Sequence, residues 1–183
     1  MAAVPSPQIV DGSGERLRQA ALELFSRDGY HGVSLRRLAS VVGLLPGSLY
    51  HHFAGKQGLL YELIEDYELE VLQLFKAAAG KGRSRRAPRA LLADYRLLVQ
   101  AEWASAQVAH HECRHLSAPQ QTCIQGIRRQ QIQALSAVLR CEGLEWSVAP
   151  EGVARLLLAM PPAQAADAVA SGIAELLVGL GRP

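Results

Sequence analysis

The sequence has few aromatic residues, which make up 5% of its 183 positions as three Phe, two Trp and five Tyr. Since 49% of the residues are hydrophobic, the core must be built mainly from Leu, Ala, Val and Ile. Ala and Leu favour helices, and runs of β-branched residues are few. The composition therefore predicts an all-α globular protein that is long enough to bury a real core.

Cysteines and targeting signals are equally scarce. The three cysteines, Cys113, Cys123 and Cys141, are odd in number and show no CxxC spacing. The N-terminus has no basic segment followed by an apolar run, and no stretch reaches the ~18 apolar residues that a membrane span requires. We therefore expect reduced thiols, a cytoplasmic location and no membrane association.

Catalytic motifs are also missing from the sequence. It contains no GxSxG, no phosphate-binding glycine loop and no pair of carboxylates in a credible site. We therefore expect that the protein is not an enzyme and that it needs no cofactor.

Positive charge is low in total but locally concentrated. The net charge of +2 by itself says little about nucleic acid. Arg36, Arg37 and Lys56 nevertheless cluster in one region, and the run from Lys81 to Arg89 is basic and glycine-bearing. The first cluster fits a basic footprint on a balanced surface, whereas the second is expected to be a solvated linker.

The most informative stretch is residues 43–56, GLLPGSLYHHFAGK. Upstream, Ser34 is placed to cap a short helix over 35–42, and Gly43 permits a sharp turn. Pro46 then begins a second short helix, in which the spacing of Leu49 and Phe53 points both side chains to the core. Two short helices joined by a tight turn predict a helix-turn-helix, with the face that bears Ser48, Tyr50, His51 and His52 open to a DNA major groove.

Apolar periodicity and helix-breaking residues divide the rest of the chain into helices. Including the two short helices, we predict about nine, over 14–28, 35–42, 46–53, 56–79, 88–109, 110–116, 119–141, 150–160 and 163–180. These group into a disordered lead-in (1–12), a helix-turn-helix domain (13–56), a connecting fourth helix (57–79) and a C-terminal helical domain (80–183). The last helix has an apolar, small-residue-rich face that would let another helix approach closely.

Residues from about Arg16 to Leu63 resemble the tetracycline-repressor (TetR) family of bacterial transcriptional regulators. The resemblance is carried by AALELFSRDGYHGVSLRRLASVVGLLPGSLYHHFAGKQGLL, in which every segment has the expected order and spacing. It implies a three-helix DNA-binding domain on an all-helical ligand-binding and dimerisation domain. It also implies a homodimer on a palindromic operator, commonly a repressor that a small molecule releases.

The resemblance also implies roles for individual residues. Ser34 matches a helix cap that also touches phosphate, and one of Arg36 and Arg37 is expected to contact DNA. Lys56 matches a lysine that contacts a phosphate. The positions that match base-contacting or phosphate-contacting sites in the recognition helix are Pro46, Gly47, Ser48, Tyr50, His51 and His52. Where the family often has Ser or Thr as the cap of this helix, the chain has Leu45.

A ligand cavity is expected among the helices over 88–141, where apolar walls could combine with a few polar anchors. The residues predicted to line it are Tyr95, Leu98, Glu102, Trp103, Cys123, Ile127 and Gln131. The same Leu and Trp side chains would serve equally as plain core, and the chemical class of the ligand stays open.

Two alternatives remain at this stage. Within the same fold, His110, Cys113 and His115 in the segment HHECRH could form a metal or thiol sensor, because their spacing places pairs on one face of a helix. The bland alternative for these residues is a polar helix end with a half-buried cysteine. A different class would be a helical small-molecule-binding protein or enzyme without DNA function.

Overall fold

The computed structural model describes residues 12–51, 53–80, 87–140 and 149–164, and these ranges contain helices and no strand. Seven α-helices and two 3-10 helices follow one another within these ranges. They are α1 (Gly12–Gly32), α2 (Leu35–Val42), a 3-10 helix (Pro46–His51, the 46–51 helix), α3 (Gly55–Ala78), α4 (Pro88–Ala101), α5 (Trp103–His111), a 3-10 turn (Cys113–His115), α6 (Ala118–Leu139) and α7 (Pro150–Ala159). The predicted all-α class is confirmed.

Helix α1 buries one apolar stripe, as its sequence period predicts. All five predicted positions are buried, namely Leu17, Ala20, Ala21, Leu24 and Phe25. The predicted end at Asp28 agrees with the break in helical φ/ψ at Gly29, beyond which helical structure resumes and continues to Gly32. Gly29 has a φ of +71°, which a glycine adopts without strain, so the chain bends there and one further turn follows.

The predicted caps of α2 are confirmed. The backbone N–H of Arg37 donates to Ser34 Oγ at 3.1 Å, which satisfies one of the free amides of the first turn. At the other end, Gly43 has a left-handed φ of +70°, and the N–H of Leu44 donates to the carbonyl of Ala39 at 2.9 Å. This turn directs the chain into the 46–51 helix.

The 46–51 helix is a single 3-10 segment rather than a regular α-helix. Leu45 supplies no capping side chain, and its carbonyl instead accepts from the N–H of Ser48 at 2.9 Å. Pro46 and Gly47 add little helix propensity, so the short segment takes the tighter form. Leu49 and Phe53 are buried as predicted and hold the segment against the core.

Helix α3 is the central element of the fold. Its sequence period predicts one buried face, and every apolar position on that face is buried, namely Leu59, Leu60, Leu63, Ile64, Tyr67, Val71, Leu72 and Phe75. It packs against α1, α4, α5 and α6 along its length. One hydrophobic cluster runs from α1 through α3 to α7, so the predicted domain boundaries cross a shared core and stay predictions.

The predicted helix over 88–109 is wrong in one respect, because it is broken at Glu102. That residue has φ −100° and ψ 39°, and it ends α4 and precedes α5. Its carboxylate accepts a hydrogen bond from the Ser105 hydroxyl at 3.1 Å, which occupies it locally at the bend. The break lets α4 and α5 both pack against α3, which a straight helix could not do.

The predicted piece over 110–116 is the end of α5 followed by the 3-10 turn, and α6 then begins with a capping box between Ser117 and Gln120. Helices α6 and α7 fall close to their predicted bounds. Of the predicted last helix, residues 163–164 are described and the rest lie outside the described residues, as do 1–11, His52, the linker residues 81–86 and Cys141. None of the helices described is long and apolar enough to span a membrane.

The central position of α3 leads to a stability prediction. Leu60 is fully buried, whereas Leu69 on the same helix is 38% exposed. We expect Leu60→Ala to lower the free energy of unfolding by about 2–5 kcal/mol, because it removes buried apolar surface and leaves a cavity. Leu69→Ala, the matched control, should cost less than about 1 kcal/mol. Urea-unfolding midpoints measure both, and equal losses would contradict the central role of the α3 core.

Candidate nucleic-acid interface and ligand cavity

The surface of the 46–51 helix is open to solvent. Tyr50 is 65% exposed, Pro46 and Gly47 are exposed, and Ser48 is half-buried. The buried Leu49 on the opposite side, with Phe53 just beyond the helix, holds the segment to the core. The predicted face of the helix is therefore exposed, while Leu49 and Phe53 pack into the core beneath it. Two other residues were predicted on this face. His51 is the last residue of the helix and its side chain is not described, and His52 lies outside the described residues.

The two arginines of α2 have different surroundings. Arg37 pairs with Asp28 Oδ2 at 2.7 Å and also donates to the carbonyl of Gly32 at 3.3 Å, so it fastens α2 to the end of α1. Arg36 is exposed and makes no ion pair with any residue that the structure describes. An arginine without an acidic partner is available to a phosphate, so Arg36 fits a DNA contact better than Arg37.

Lys56 lies at the start of α3 and turns towards the protein. Its Nζ is 4.0 Å from the centroid of the Tyr30 ring, a cation–π distance. Burial lowers the pKa of Lys56, and the nearby carboxylate of Glu112 acts in the opposite direction. The predicted phosphate contact of Lys56 stays a prediction. In this conformation the lysine lies where α1 and the start of α3 meet the end of α5 and the 3-10 turn after it, and we call this place the junction.

That junction is organised around Glu112, a buried carboxylate at the end of α5. Its Oε2 accepts from the backbone N–H of Tyr30 at 3.1 Å and lies 3.4 Å from His115 Nε2. The amide of Tyr30 follows the bend at Gly29, so it is free to leave the helical hydrogen-bond pattern of α1. Glu112 therefore ties the last turn of α1 to the C-terminal half of the chain.

Rings stack at the same place. His115 lies parallel to Tyr30 with centroids 5.2 Å apart, and its edge meets His31 at 4.4 Å. Its carbonyl accepts from Gln57 Nε2 at 2.8 Å. Burial lowers the pKa of His115, and the neighbouring His31 acts in the same direction, so the neutral imidazole is favoured. The turn after α5 thus contacts both α1 and the start of α3.

A cavity of about 190 Å³ opens between the C-terminal helices. Polar side chains from α3, α4, α5 and α6 line it together with apolar side chains. The lining residues are Tyr67, Glu68 and Val71 of α3, Tyr95 and Val99 of α4, Ala106, Ala109 and His110 of α5, Arg128 and Gln131 of α6, and Leu158, Ala159, Met160 and Pro162. A concave site in which several polar groups converge is a usual form of a small-molecule site.

Glu68, a buried acid in the cavity wall, is fully engaged by two partners. Arg128 Nε donates to its Oε1 at 2.7 Å, and Gln131 Nε2 donates to its Oε2 at 2.8 Å. Burial disfavours the charge of Arg128, but the ion pair with Glu68 raises its pKa above the ordinary value overall. The buried charges therefore compensate each other, as buried charges must.

Arg128 also connects the cavity to the junction. Its NH2 group donates to the carbonyl of Ala109 at 2.9 Å, and its NH1 group lies 4.0 Å from Cys113 Sγ. Ala109 is on the last turn of α5 and Cys113 directly follows Glu112. The cavity and the Tyr30 amide are therefore linked through one arginine and one turn of helix.

Of the seven predicted ligand-lining residues, Tyr95 and Gln131 lie in the wall of this cavity. The other five lie elsewhere. Glu102 is at the α4–α5 bend, Ile127 is buried in the core, Leu98 packs against that core, and Trp103 and Cys123 are exposed. Whether a ligand binds at Tyr95 and Gln131 stays a prediction.

Most of the wall residues fall outside the predicted set, and the sequence carries a signal for one of them, Glu68. Glu68 is spaced four residues after Ile64 and three before Val71, which places an acid on the buried face of α3. An acid at such a position indicates a buried partner or a ligand. Tyr67 was predicted as core and is also part of the wall.

The residues of the alternative metal site are drawn apart. His110 lines the cavity, Cys113 Sγ approaches Arg128 and the carbonyl of His110, and His115 stacks on Tyr30. Across the described ranges, no group of three His, Cys, Asp or Glu residues is arranged to hold a metal ion. The spacing in HHECRH therefore does not produce a shared site in this fold.

Comparison with known proteins agrees with this arrangement. The family model for bacterial regulatory proteins of the tetR family matches residues 17–63. That range contains α1 from Leu17, the whole helix-turn-helix and the first part of α3.

Among curated relatives, the HTH-type transcriptional repressor KstR2 of Rhodococcus jostii is 27% identical over 117 residues, which cover 62% of this chain and 57% of the relative. The HTH-type transcriptional regulator UidR of Escherichia coli is 34% identical over 61 residues, or 33% of this chain and 31% of the relative. The chain thus spans between a third and somewhat over half of the length of these relatives.

Solved structures share the fold over nearly the whole chain. A tetR-family regulatory protein from Rhodococcus RHA1 has a TM-score of 0.78 at 23% identity and covers 94% of this chain and 98% of its own. The ketosteroid transcriptional regulator KstR2 of Mycobacterium tuberculosis has a TM-score of 0.78 at 21% identity, covering 95% and 97%. AibR in complex with isovaleryl coenzyme A and operator DNA has a TM-score of 0.75 at 19% identity, covering 91% and 98%.

The matched range, the open face of the 46–51 helix and the shared helical architecture lead to one conclusion: residues 17–63 match the tetR family of bacterial regulatory proteins, and the chain shares the fold of solved tetR-family structures.

Proposed function

We propose that the protein is a cytoplasmic transcriptional repressor, without catalytic activity, that binds a palindromic operator as a homodimer and leaves it when a small molecule enters the cavity. The observation that carries this proposal is the exposed face of the 46–51 helix, where Tyr50 is 65% exposed above the buried Leu49. A hydroxyl-bearing and aromatic face beside a cationic helix suits both base edges and phosphates.

The proposed division of labour follows the surroundings of each side chain. Arg36, without a described acidic partner, would contact a phosphate and contribute affinity that depends on salt but not on sequence. Ser48 and Tyr50 would meet the groove, where side-chain contacts to base edges give sequence preference. Arg37 would act indirectly, because its ion pair with Asp28 fixes α2 against α1.

The effect of a bound ligand would reach the DNA-binding half through the contacts that link the cavity to the junction. A molecule that displaces the Arg128 side chain alters its contact with the carbonyl of Ala109, one turn before Glu112. Glu112 in turn holds the Tyr30 amide, and so the orientation of α1 and its attached DNA-binding face. A ligand acts by favouring one of two such orientations, and its effect is limited by its difference in affinity for them.

The proposal of a dimer is supported by the family resemblance and by an exposed apolar residue on α7. Two copies would place their 46–51 helices in successive major grooves, about 34–36 Å apart. Leu156 on α7 is 58% exposed, an apolar position available to a second copy next to the start of the predicted last helix. Among the structural relatives, AibR was solved with isovaleryl coenzyme A and operator DNA, which is a precedent for a small-molecule effector.

Arg36 supplies a test of the DNA face. We expect Arg36→Ala to weaken binding to DNA from upstream of the protein's own gene and to lower the slope of log affinity against log salt by about one unit, because one phosphate contact is lost. Arg129→Ala is the matched control, since it removes the same charge from an exposed position on α6. Fluorescence anisotropy over a range of salt concentrations measures both. Equal slopes for the two variants would refute the placement of the interface.

Glu112 supplies a test of the junction. We expect Glu112→Ala to increase amide hydrogen exchange in residues 29–33, because the Tyr30 N–H loses its acceptor and the end of α1 loosens. Glu151→Ala, which removes an exposed carboxylate from α7, serves as the control and should leave that segment unchanged.

The exchange measurement separates a local effect from general destabilisation. A local opening raises exchange at 29–33 while the amides of central α3 keep their protection. If Glu112→Ala left residues 29–33 as protected as in the unmodified protein, the proposed link between the cavity and the DNA-binding half would fail.

A further inference from the structure

Two buried phenol groups lie in the wall of the cavity. Tyr67 and Tyr95 both line its wall and both are 8% exposed. Within the part of the chain that the structure describes, neither hydroxyl makes a hydrogen bond, in contrast to Tyr61 on the same helix, which donates to Glu65. A buried tyrosine hydroxyl normally has a partner, so two without one at the same cavity indicate a missing acceptor.

The charges in the wall restrict what that acceptor can be. Among the described wall residues, Arg128 is the one arginine or lysine, and Glu68 already accepts from it at 2.7 Å. The remaining oxygen of Glu68 accepts from Gln131 at 2.8 Å. Burial lowers the pKa of His110, so this imidazole is neutral near pH 7. A buried anion would therefore lack a cation to compensate it, and a buried cation would lack an open carboxylate.

The phenols themselves remain neutral donors. Burial raises the pKa of Tyr95 to about 12, and burial raises the pKa of Tyr67 as well. Each hydroxyl can therefore donate a hydrogen bond to an oxygen at any physiological pH. Apart from the mutually paired Glu68, Arg128 and Gln131 and the neutral His110, the other wall side chains are apolar, with Val71, Val99 and Leu158 among them.

We propose that the cavity binds an uncharged, mainly apolar molecule with a carbonyl oxygen that accepts hydrogen bonds from Tyr67 and Tyr95. The cavity volume of about 190 Å³ suits a compound built around a single ring, because cavities of roughly 150 Å³ already admit benzene. The carbonyl can belong to a ketone or an ester, since both offer the same acceptor. The inference rests on the proposed function only in treating the bound molecule as the effector.

Three probes of similar shape separate the contributions of charge and oxygen. They are methyl benzoate, which is neutral with a carbonyl, benzoate, which is anionic, and ethylbenzene, which has no oxygen. Acetophenone adds the ketone arm and should bind like methyl benzoate. By calorimetric titration of the full-length protein at pH 7.5, we expect methyl benzoate to bind at least tenfold more tightly than benzoate.

The double variant Tyr67→Phe/Tyr95→Phe tests the donors. It should bind methyl benzoate about tenfold more weakly, because the carbonyl loses its partners, and it should bind ethylbenzene as the unmodified protein does. Tyr61→Phe, on the same helix outside the cavity, is the matched control and should leave both affinities unchanged. The ethylbenzene affinity also reveals whether the double variant still forms the cavity.

Three results would overturn the inference: benzoate binding as tightly as methyl benzoate, an equal loss of methyl benzoate and ethylbenzene affinity in the double variant, or no binding of any of the four probes. Anisotropy with upstream DNA, run on the same preparation, keeps the two proposals apart. Intact DNA binding without probe binding would refute the ligand class alone, whereas probe binding without DNA binding would refute the regulator and leave the cavity chemistry standing.

Discussion

Helix α3 runs through one continuous core with a single apolar face, and the arrangement of both halves of the chain depends on this constraint. Its first turns bury Leu59 and Leu60 in a core shared with α1 and the base of the 46–51 helix. Further along, the same face carries Tyr67 and Glu68 into the cavity wall. Because an α-helix is stiff over this length, the distance and the rotation between the DNA-binding face and the cavity are largely fixed by one element.

A stiff helix alone would not transmit a signal, and the junction adds a directional hydrogen bond between the two halves of the chain. Most of the contact between the halves is apolar packing, which tolerates small rotations at low cost, whereas hydrogen bonds do not. Glu112 adds such a directional bond to the Tyr30 amide, and His115 stacks on the Tyr30 ring beside Lys56. The bond depends on the bend at Gly29, since an amide inside a continuous α-helix would already have an acceptor. The bend at Gly29 and the hydrogen bond to Glu112 therefore act together.

The sequence predicted the fold well where local rules operate and less well where distant residues decide. The cap at Ser34, the turn at Gly43 and the buried stripe of α3 follow from propensity and periodicity, and all three are confirmed. The break at Glu102 could not be foreseen in the same way, because a helical period continues across it and the bend is imposed by packing on α3. The 3-10 form of the 46–51 helix was partly signalled by Leu45, Pro46 and Gly47, which together weaken an α-helical start.

The two sites differ in the same way, because one is built from neighbouring residues and the other from distant ones. The positions predicted to face DNA lie within 23 consecutive residues, Ser34 to Lys56, so their order in the sequence is nearly their order in space. The cavity instead gathers residues from α3 to α7, and pairing between Glu68 and Arg128 joins positions 60 residues apart. Periodicity states that both lie towards the inside of their helices, but it does not state that they meet. A glutamate on a buried helix face needs a buried partner, so position 68 by itself indicates that a polar group of another helix lies opposite α3.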